Sequence, residues 1–228
     1  MAGAPEITAF TWVPPFAQGL VRDTRARWAF EEVGLDYDVR LLDLGEHKSA
    51  AHRALQPFGQ IPTYAHGDTE IFESGAIVLH IAGLKPGLLP GDPAGDARAT
   101  AWLISALNSV EPMIFDLVLA DLFDKDEAYA PLFRPKAIER LRARLADLSN
   151  ALGDKRWLDG DVFTAGDLIM VSVLRGLRHT DLVAEHDNLA AYLARGESRP
   201  AFQKALADHM AVFEGVKPPA WYSEGESK

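Results

Sequence analysis

The rhythm of apolar positions changes before the middle of this chain. At the start, Ile7, Ala9 and Thr11 alternate with Thr8, Phe10 and Trp12, a period of two that predicts a short strand rich in β-branched and aromatic residues. Pro14-Pro15 ends it. The period then lengthens: Ala26, Ala29, Phe30 and Val33 fall on one face of a helix predicted over Arg22–Val33, with Gly34 placed to close it. Tyr37, Val39 and Leu41 return to alternation, so strand, helix and strand follow in the order of a βαβ unit with a right-handed crossover. A polar helical stretch comes next. Thr63–Ala65 and Glu70–Phe72 flank His66-Gly67-Asp68, a hairpin signature, and Ser74–Leu84 reads as a short apolar helix.

Three prolines and three glycines between Leu84 and Asp96 mark a boundary. Beyond it the pattern is helical. A long helix is predicted over Ala97–Phe123 with a kink at Pro112. Ile138, Leu141, Leu145, Leu148 and Leu152 form one apolar stripe on a charged helix. Leu168–Leu174 carries no charge and is expected to be buried on most sides, with Thr164 and Asp167 as a capping-box pair in front of it. Ser198 and Pro200 read as the N-cap and first-turn proline of a last helix presenting Phe202, Leu206, Met210 and Phe213. The predicted architecture is a small α/β domain over residues 1–84, a linker over 85–96, and an all-α domain over 97–228 whose tail frays after Val216.

Composition narrows the function. With 228 residues and 48% hydrophobic positions the chain can bury a sizeable core, and no repeat of fixed period appears. A net charge of −10 repels nucleic acid and anionic membranes over most of the surface, so an acidic ligand needs a local basic patch. Cysteine is absent, which excludes disulfides, thiolate metal sites and a cysteine nucleophile; no metal is expected. The start has no signal-peptide pattern, and the run Ala99–Val110 is too short to span a bilayer, so a cytoplasmic protein is expected.

Two segments carry candidate chemistry. In Gln56-Pro57-Phe58-Gly59-Gln60-Ile61-Pro62, a cis bond before Pro62 would turn the chain and leave the N–H and C=O of Ile61 facing outward, open to an extended peptide ligand. In Glu73-Ser74-Gly75-Ala76-Ile77, a helix opens after a strand. Its free N–H groups and the Ser74 hydroxyl suit a carboxylate, while Glu73 suits an ammonium. An α-amino-acid terminus requires that pairing. The plainer alternative makes Ser74 an N-cap and Glu73 a first-turn acid.

Taken together, QPFGQIPTY and IFESGAIVLHIA resemble the glutathione-binding core of the glutathione transferase superfamily. GEHKSAAHRALQPFGQIP is similar to plant-type and related bacterial classes, and VFTAGDLIM and RPAFQKAL continue the likeness in the family's order, from Ile7 to Phe213. The resemblance implies a thioredoxin-like N-terminal domain, an all-helical C-terminal domain, glutathione as co-substrate and a homodimer, with no nucleic acid or membrane partner. It implies that Glu73 and Ser74 hold the γ-glutamyl end of glutathione. Ile61, before Pro62, would pair with the cysteinyl backbone, Gln60 would approach the same backbone or the γ-glutamyl carboxylate, and His47 and Lys48 would meet the glycyl carboxylate. As alternatives, His47 and Lys48 are solvated loop residues and Gln60 caps a turn. Thr164 and Asp167 match a structural cap of the family.

The catalytic loop departs from the pattern. The family places Tyr, Ser or Cys there to donate to the glutathione sulfur, and Thr11 to Thr24 holds none of them. A free thiol titrates near ~8.5, so a donor or cation is needed to favour thiolate. Arg22 is the first candidate and Thr11 the second, along with Thr24 and N–H groups of the Gln18-Gly19 turn; the plainer roles of the first two are a first-turn cation and a strand residue. Trp12, Phe16, Phe115 and Leu119 are expected to line an apolar electrophile pocket where the domains meet. The expected activity is conjugation of glutathione to an apolar electrophile, or peroxide reduction by the bound thiol. The alternative is a non-catalytic glutathione-binding or interaction domain.

Overall fold

The computed structural model describes residues 3–220 and 222. Its elements are β1 (Glu6–Phe10), α1 (Asp23–Val33), β2 (Asp38–Leu42), α2 (Ala50–Leu55), β3 (Thr63–His66), β4 (Thr69–Phe72), α3 (Ser74–Leu84), α4 (Pro93–Ser105), α5 (Glu111–Val118), α6 (Ala130–Leu152), α7 (Ala165–Leu174), α8 (Asp187–Glu197) and α9 (Pro200–Ala211). By contact the chain divides into two units, Met1–Gly91 with Ser198–Pro218, and Asp92–Glu197 with Pro219–Lys228. The sequence placed all of 97–228 in one domain. Instead α9 packs on α1, and the connection ahead of α4 is shorter than expected because Pro93 already opens that helix. The tail residues 221 and 223–228 lie outside the described residues.

The first unit holds a four-stranded sheet in the order β2-β1-β3-β4. β1 and β2 run parallel across the α1 crossover, from Glu6↔Asp38 to Phe10↔Leu42, and β3 and β4 are antiparallel. Alternation on β1 sends Ile7 and Ala9 into the core, where Phe30 of α1 and Tyr64 of β3 are also fully enclosed. Gly34 closes α1 at φ 61°, the left-handed conformation glycine takes without a Cβ penalty. α9 is tied to α1 by polar contacts as well as by Trp28 against Phe202. The buried Asp23 carboxylate accepts from Arg27 Nε at 2.9 Å and from His209 Nδ1 at 3.1 Å. The residue capping α9 is Arg199 rather than Ser198, and its guanidinium forks onto Glu32 of α1.

In the second unit the helical run Pro93–Phe123 passes through two π segments, Ala106–Val110 and Leu119–Phe123. Pro112 sits in the first turn of α5, so the wider π turn before it takes up the missing N–H that a straight α-helix could not spare. By length and composition this run is long and apolar enough to cross a membrane, more than the stretch Ala99–Val110 suggested. Ala99, Leu103, Ala106, Val110, Ile114 and Leu117, spaced three and four apart on one face of the run, are buried within the unit. α7 is enclosed almost entirely, and its start shows the expected capping box. Asp167 accepts from Thr164 N–H at 2.9 Å, from Leu158 N–H at 2.9 Å and from Tyr192 Oη at 3.1 Å.

Replacing Asp167 with alanine removes the cap, strands the buried Leu158 N–H and leaves the Tyr192 hydroxyl only the backbone carbonyl of that position, at 3.4 Å. The expected loss is about 3 kcal/mol in urea unfolding. A loss below about 1 kcal/mol would mean those groups find other partners.

Candidate functional site

The site grows from the register of the β3–β4 hairpin. Thr63 pairs with Phe72, so the residues just outside that pair, Ile61-Pro62 before β3 and Glu73-Ser74 after β4, emerge at the same end of the hairpin. The Ile61–Pro62 peptide is cis. Thr63 N–H turns inward to Thr8 Oγ1 at 2.8 Å, which starts the strand there. Among the described residues neither peptide group of Ile61 has a backbone partner.

Glu73, exposed, holds φ 71° and ψ 117°, a conformation uncommon for a residue with a Cβ. It turns the chain so that Ser74 opens α3, whose N-terminal N–H groups and dipole favour an anion. Ser74 is 4% exposed and accepts from Arg25 Nη1 at 3.1 Å. Arginine can only donate, so the Ser74 hydroxyl keeps its own proton for an acceptor outside. Arg25, itself buried, was missed from the sequence. The signal was present: Arg25 lies on the same helical stripe as Ala29 and Val33, an unusual place for a charge.

The basic residues sit on a short 3₁₀ turn, Glu46–Lys48, and on α2. His47 stacks edge-on against Phe10 with ring centroids 5.0 Å apart, and its Nδ1 accepts from Gly45 N–H at 3.2 Å. Burial holds the His47 pKa below the ordinary 6.5, helped by the charges of Lys48, His52 and Arg53. The ring is therefore neutral at neutral pH. Lys48 Nζ donates to Gly59 O at 2.9 Å, and Arg53 Nη1 donates to Pro57 O at 3.1 Å. Gly59 takes φ +61°, and a Cβ there would come within 2.8 Å of the His47 carbonyl, so only glycine lets this loop lie against the turn. The Gln60 side chain is exposed.

The catalytic candidates are placed differently from one another. Thr11 Oγ1 donates to Asp43 Oδ1 at 2.7 Å. Its one proton is directed at Asp43, a partner that a role as donor to a sulfur would have to displace. Of the turn amides, Gln18 N–H bonds Pro15 O. Arg22 caps the start of α1, half-buried. Of the residues expected to line an electrophile pocket, Trp12 is buried and Phe16 half-buried in the first unit. In the second, Phe115 is 46% exposed and Leu119 half-buried.

Comparison with known proteins places the chain in a family. Residues 16–83 match the family model for the glutathione S-transferase N-terminal domain, and residues 126–195 match the one for the C-terminal domain. Glutathione S-transferase 3 of Zea mays is 32% identical over 198 residues, covering 80% of this chain and 87% of that protein. The chain belongs to the glutathione S-transferase family. Among solved structures, glutathione transferase F7 from Populus trichocarpa superposes with a TM-score of 0.78 at 24% identity, covering 90% of this chain and 99% of that one. A glutathione transferase from Burkholderia graminis, solved with two glutathione molecules per subunit, gives 0.76 at 23% identity over 89% of this chain and 87% of that one. Both likenesses speak for the fold.

A neutral His47 beside a charged Lys48 separates their contributions. At about pH 7, Lys48→Ala is expected to weaken glutathione binding about fivefold in calorimetry, with His47→Ala costing much less. Because the His47 pKa is lowered, its charge arrives only on the acid side of 6.5, and the effect of His47→Ala should grow there. An effect of His47→Ala that is large and flat across this range would contradict a neutral ring.

Proposed function

We propose that this protein is a glutathione transferase that joins the glutathione thiolate to an apolar electrophile. One observation carries the reading: the hairpin register sets an unpaired backbone edge at Ile61 beside an anion-binding helix start at Ser74. A γ-glutamyl peptide offers the matching groups, a backbone for Ile61, a carboxylate for Ser74 and the α3 N-terminus, and an ammonium for Glu73. Lys48 supplies a cation for its far carboxylate. Arg22, at the start of α1, is the group assigned to hold the sulfur as thiolate, since the Thr11 hydroxyl already donates its hydrogen bond to Asp43. In the reaction the thiol proton passes to solvent, the sulfur lone pair forms the C–S bond, and the leaving group departs with its electron pair. Fixing both reactants supplies much of the rate. A non-catalytic role is not favoured, because the relatives that the chain matches are named glutathione S-transferases.

A homodimer completes the reading. Phe58, at the tip of the loop before Gln60, is 63% exposed and has Phe72 beside it, with ring centroids 6.3 Å apart. An exposed aromatic on a rigid loop is the kind of anchor that a second copy covers.

Two experiments test these claims. The ultraviolet absorbance of the glutathione thiolate, titrated with the protein present, should show the bound thiol ionising a unit or more below its free value of about 8.5. Arg22→Ala should return it most of the way. An unshifted curve at saturation would leave a binding protein without catalysis. Light scattering should show a dimer that Phe58→Ser converts to monomer at micromolar concentration, and a variant as dimeric as the parent would remove Phe58 from the interface.

A further inference from the structure

Behind the Ile61 edge lies a side chain that the reading so far leaves unused. His52, on α2, is 3% exposed, and its Nε2 stands 2.6 Å from the carbonyl oxygen of Gln60. A carbonyl only accepts, so Nε2 carries the proton and donates. The N–H of the same residue is held too, donating to Oε1 of the buried Gln56 at 3.2 Å. Both backbone groups of Gln60 are therefore fastened from behind, by α2 and by the residue that caps its C-terminus. Lys48 and Arg53 fasten the preceding carbonyls of Gly59 and Pro57. Ile61, next in the chain, has no backbone partner at either peptide group among the described residues. His52 is itself fixed at the backbone, its N–H donating to Ser49 Oγ at 3.2 Å, so the ring is set on a capped helix. Its Nδ1 is buried with no partner, a cost the fold accepts while keeping the Gln60 contact.

We infer that His52 is a positioning residue for glutathione: by fixing the Gln60 peptide it sets the angle at which Ile61 presents its N–H and C=O to the cysteinyl backbone. This rests on the glutathione reading above. His52 touches neither ligand nor sulfur in this role, so it governs affinity and leaves the chemical step alone. A residue acting only in stability would change unfolding without separating glutathione binding from electrophile binding.

The test compares His52→Leu, which removes the donor, with His52→Gln, whose amide nitrogen reaches the place of Nε2. Glutathione Kd is measured by calorimetry, and KM for glutathione and for a chlorodinitrobenzene by steady-state kinetics, after thermal unfolding confirms a folded protein. Loss of one buried hydrogen bond predicts that His52→Leu raises glutathione Kd and KM about tenfold, with kcat and electrophile KM within about twofold of the parent. His52→Gln should recover most of the affinity. If His52→Leu does not fold, His52→Asn, too short to reach Gln60, takes its place with the same expectation. A folded variant lacking the donor that binds glutathione as the parent does overturns the proposal, as does an equal fall in kcat and in electrophile binding. A parent protein that fails to bind glutathione at all overturns the glutathione reading itself, and this inference with it.

Discussion

A backbone amide and carbonyl left without partners beside a sheet are costly unless something else satisfies them, and Ile61 is in that position. Much of the first unit serves to keep it there. Thr8 draws the N–H of Thr63 inward, so the strand starts after Ile61 rather than at it. Gly59 lets the preceding loop close against the 3₁₀ turn, and basic side chains tie down the carbonyls of Pro57 and Gly59. β4 then pairs with β3 in the register that delivers Ser74 to the same end. A peptide ligand that adds one more stretch of backbone here gains hydrogen bonds at little ordering cost, because the edge is already held.

Charge follows the same economy. The chain carries a net charge of −10, yet the ligand is itself an anion, so attraction has to be local. On the proposed reading it comes from few places: the N-terminus of α3 with Arg25 beneath Ser74, and Lys48 on the turn before α2. His47 adds a hydrogen-bonding ring rather than a charge, since burial and its cationic neighbours hold its pKa down. Asp23, also buried near the start of α1, is taken up by Arg27 and His209, which binds α9 to α1 rather than opposing an anion.

What could be read in the sequence was whatever depends on neighbours along the chain. The strands, the span of α3, the Gly34 cap, the hairpin at Gly67 and the Thr164–Asp167 box are local patterns, and the structure reproduces them. So was the placing of Ile61, Pro62, Glu73 and Ser74 at one end of the hairpin, because the resemblance rests on contiguous motifs. Contacts between distant segments were not legible. The stripe on α9 read Phe202, Leu206, Met210 and Phe213, but Met210 is 37% exposed while Ala205 and His209 face α1. Nothing local says that His209 meets Asp23 or that Thr11 meets Asp43, the contact that engages the Thr11 hydroxyl. The π segments escaped for a related reason, since a wider turn leaves the apolar spacing nearly unchanged.

The central claim is that glutathione is held by the free edge at Ile61 and the helix start at Ser74. A crystal structure of the protein grown with glutathione tests it most directly. The account predicts the cysteinyl N–H and C=O paired with the C=O and N–H of Ile61, and the γ-glutamyl carboxylate on the Ser74 hydroxyl and the first N–H groups of α3. Glutathione bound elsewhere, with the Ile61 peptide groups still unpaired, would contradict it.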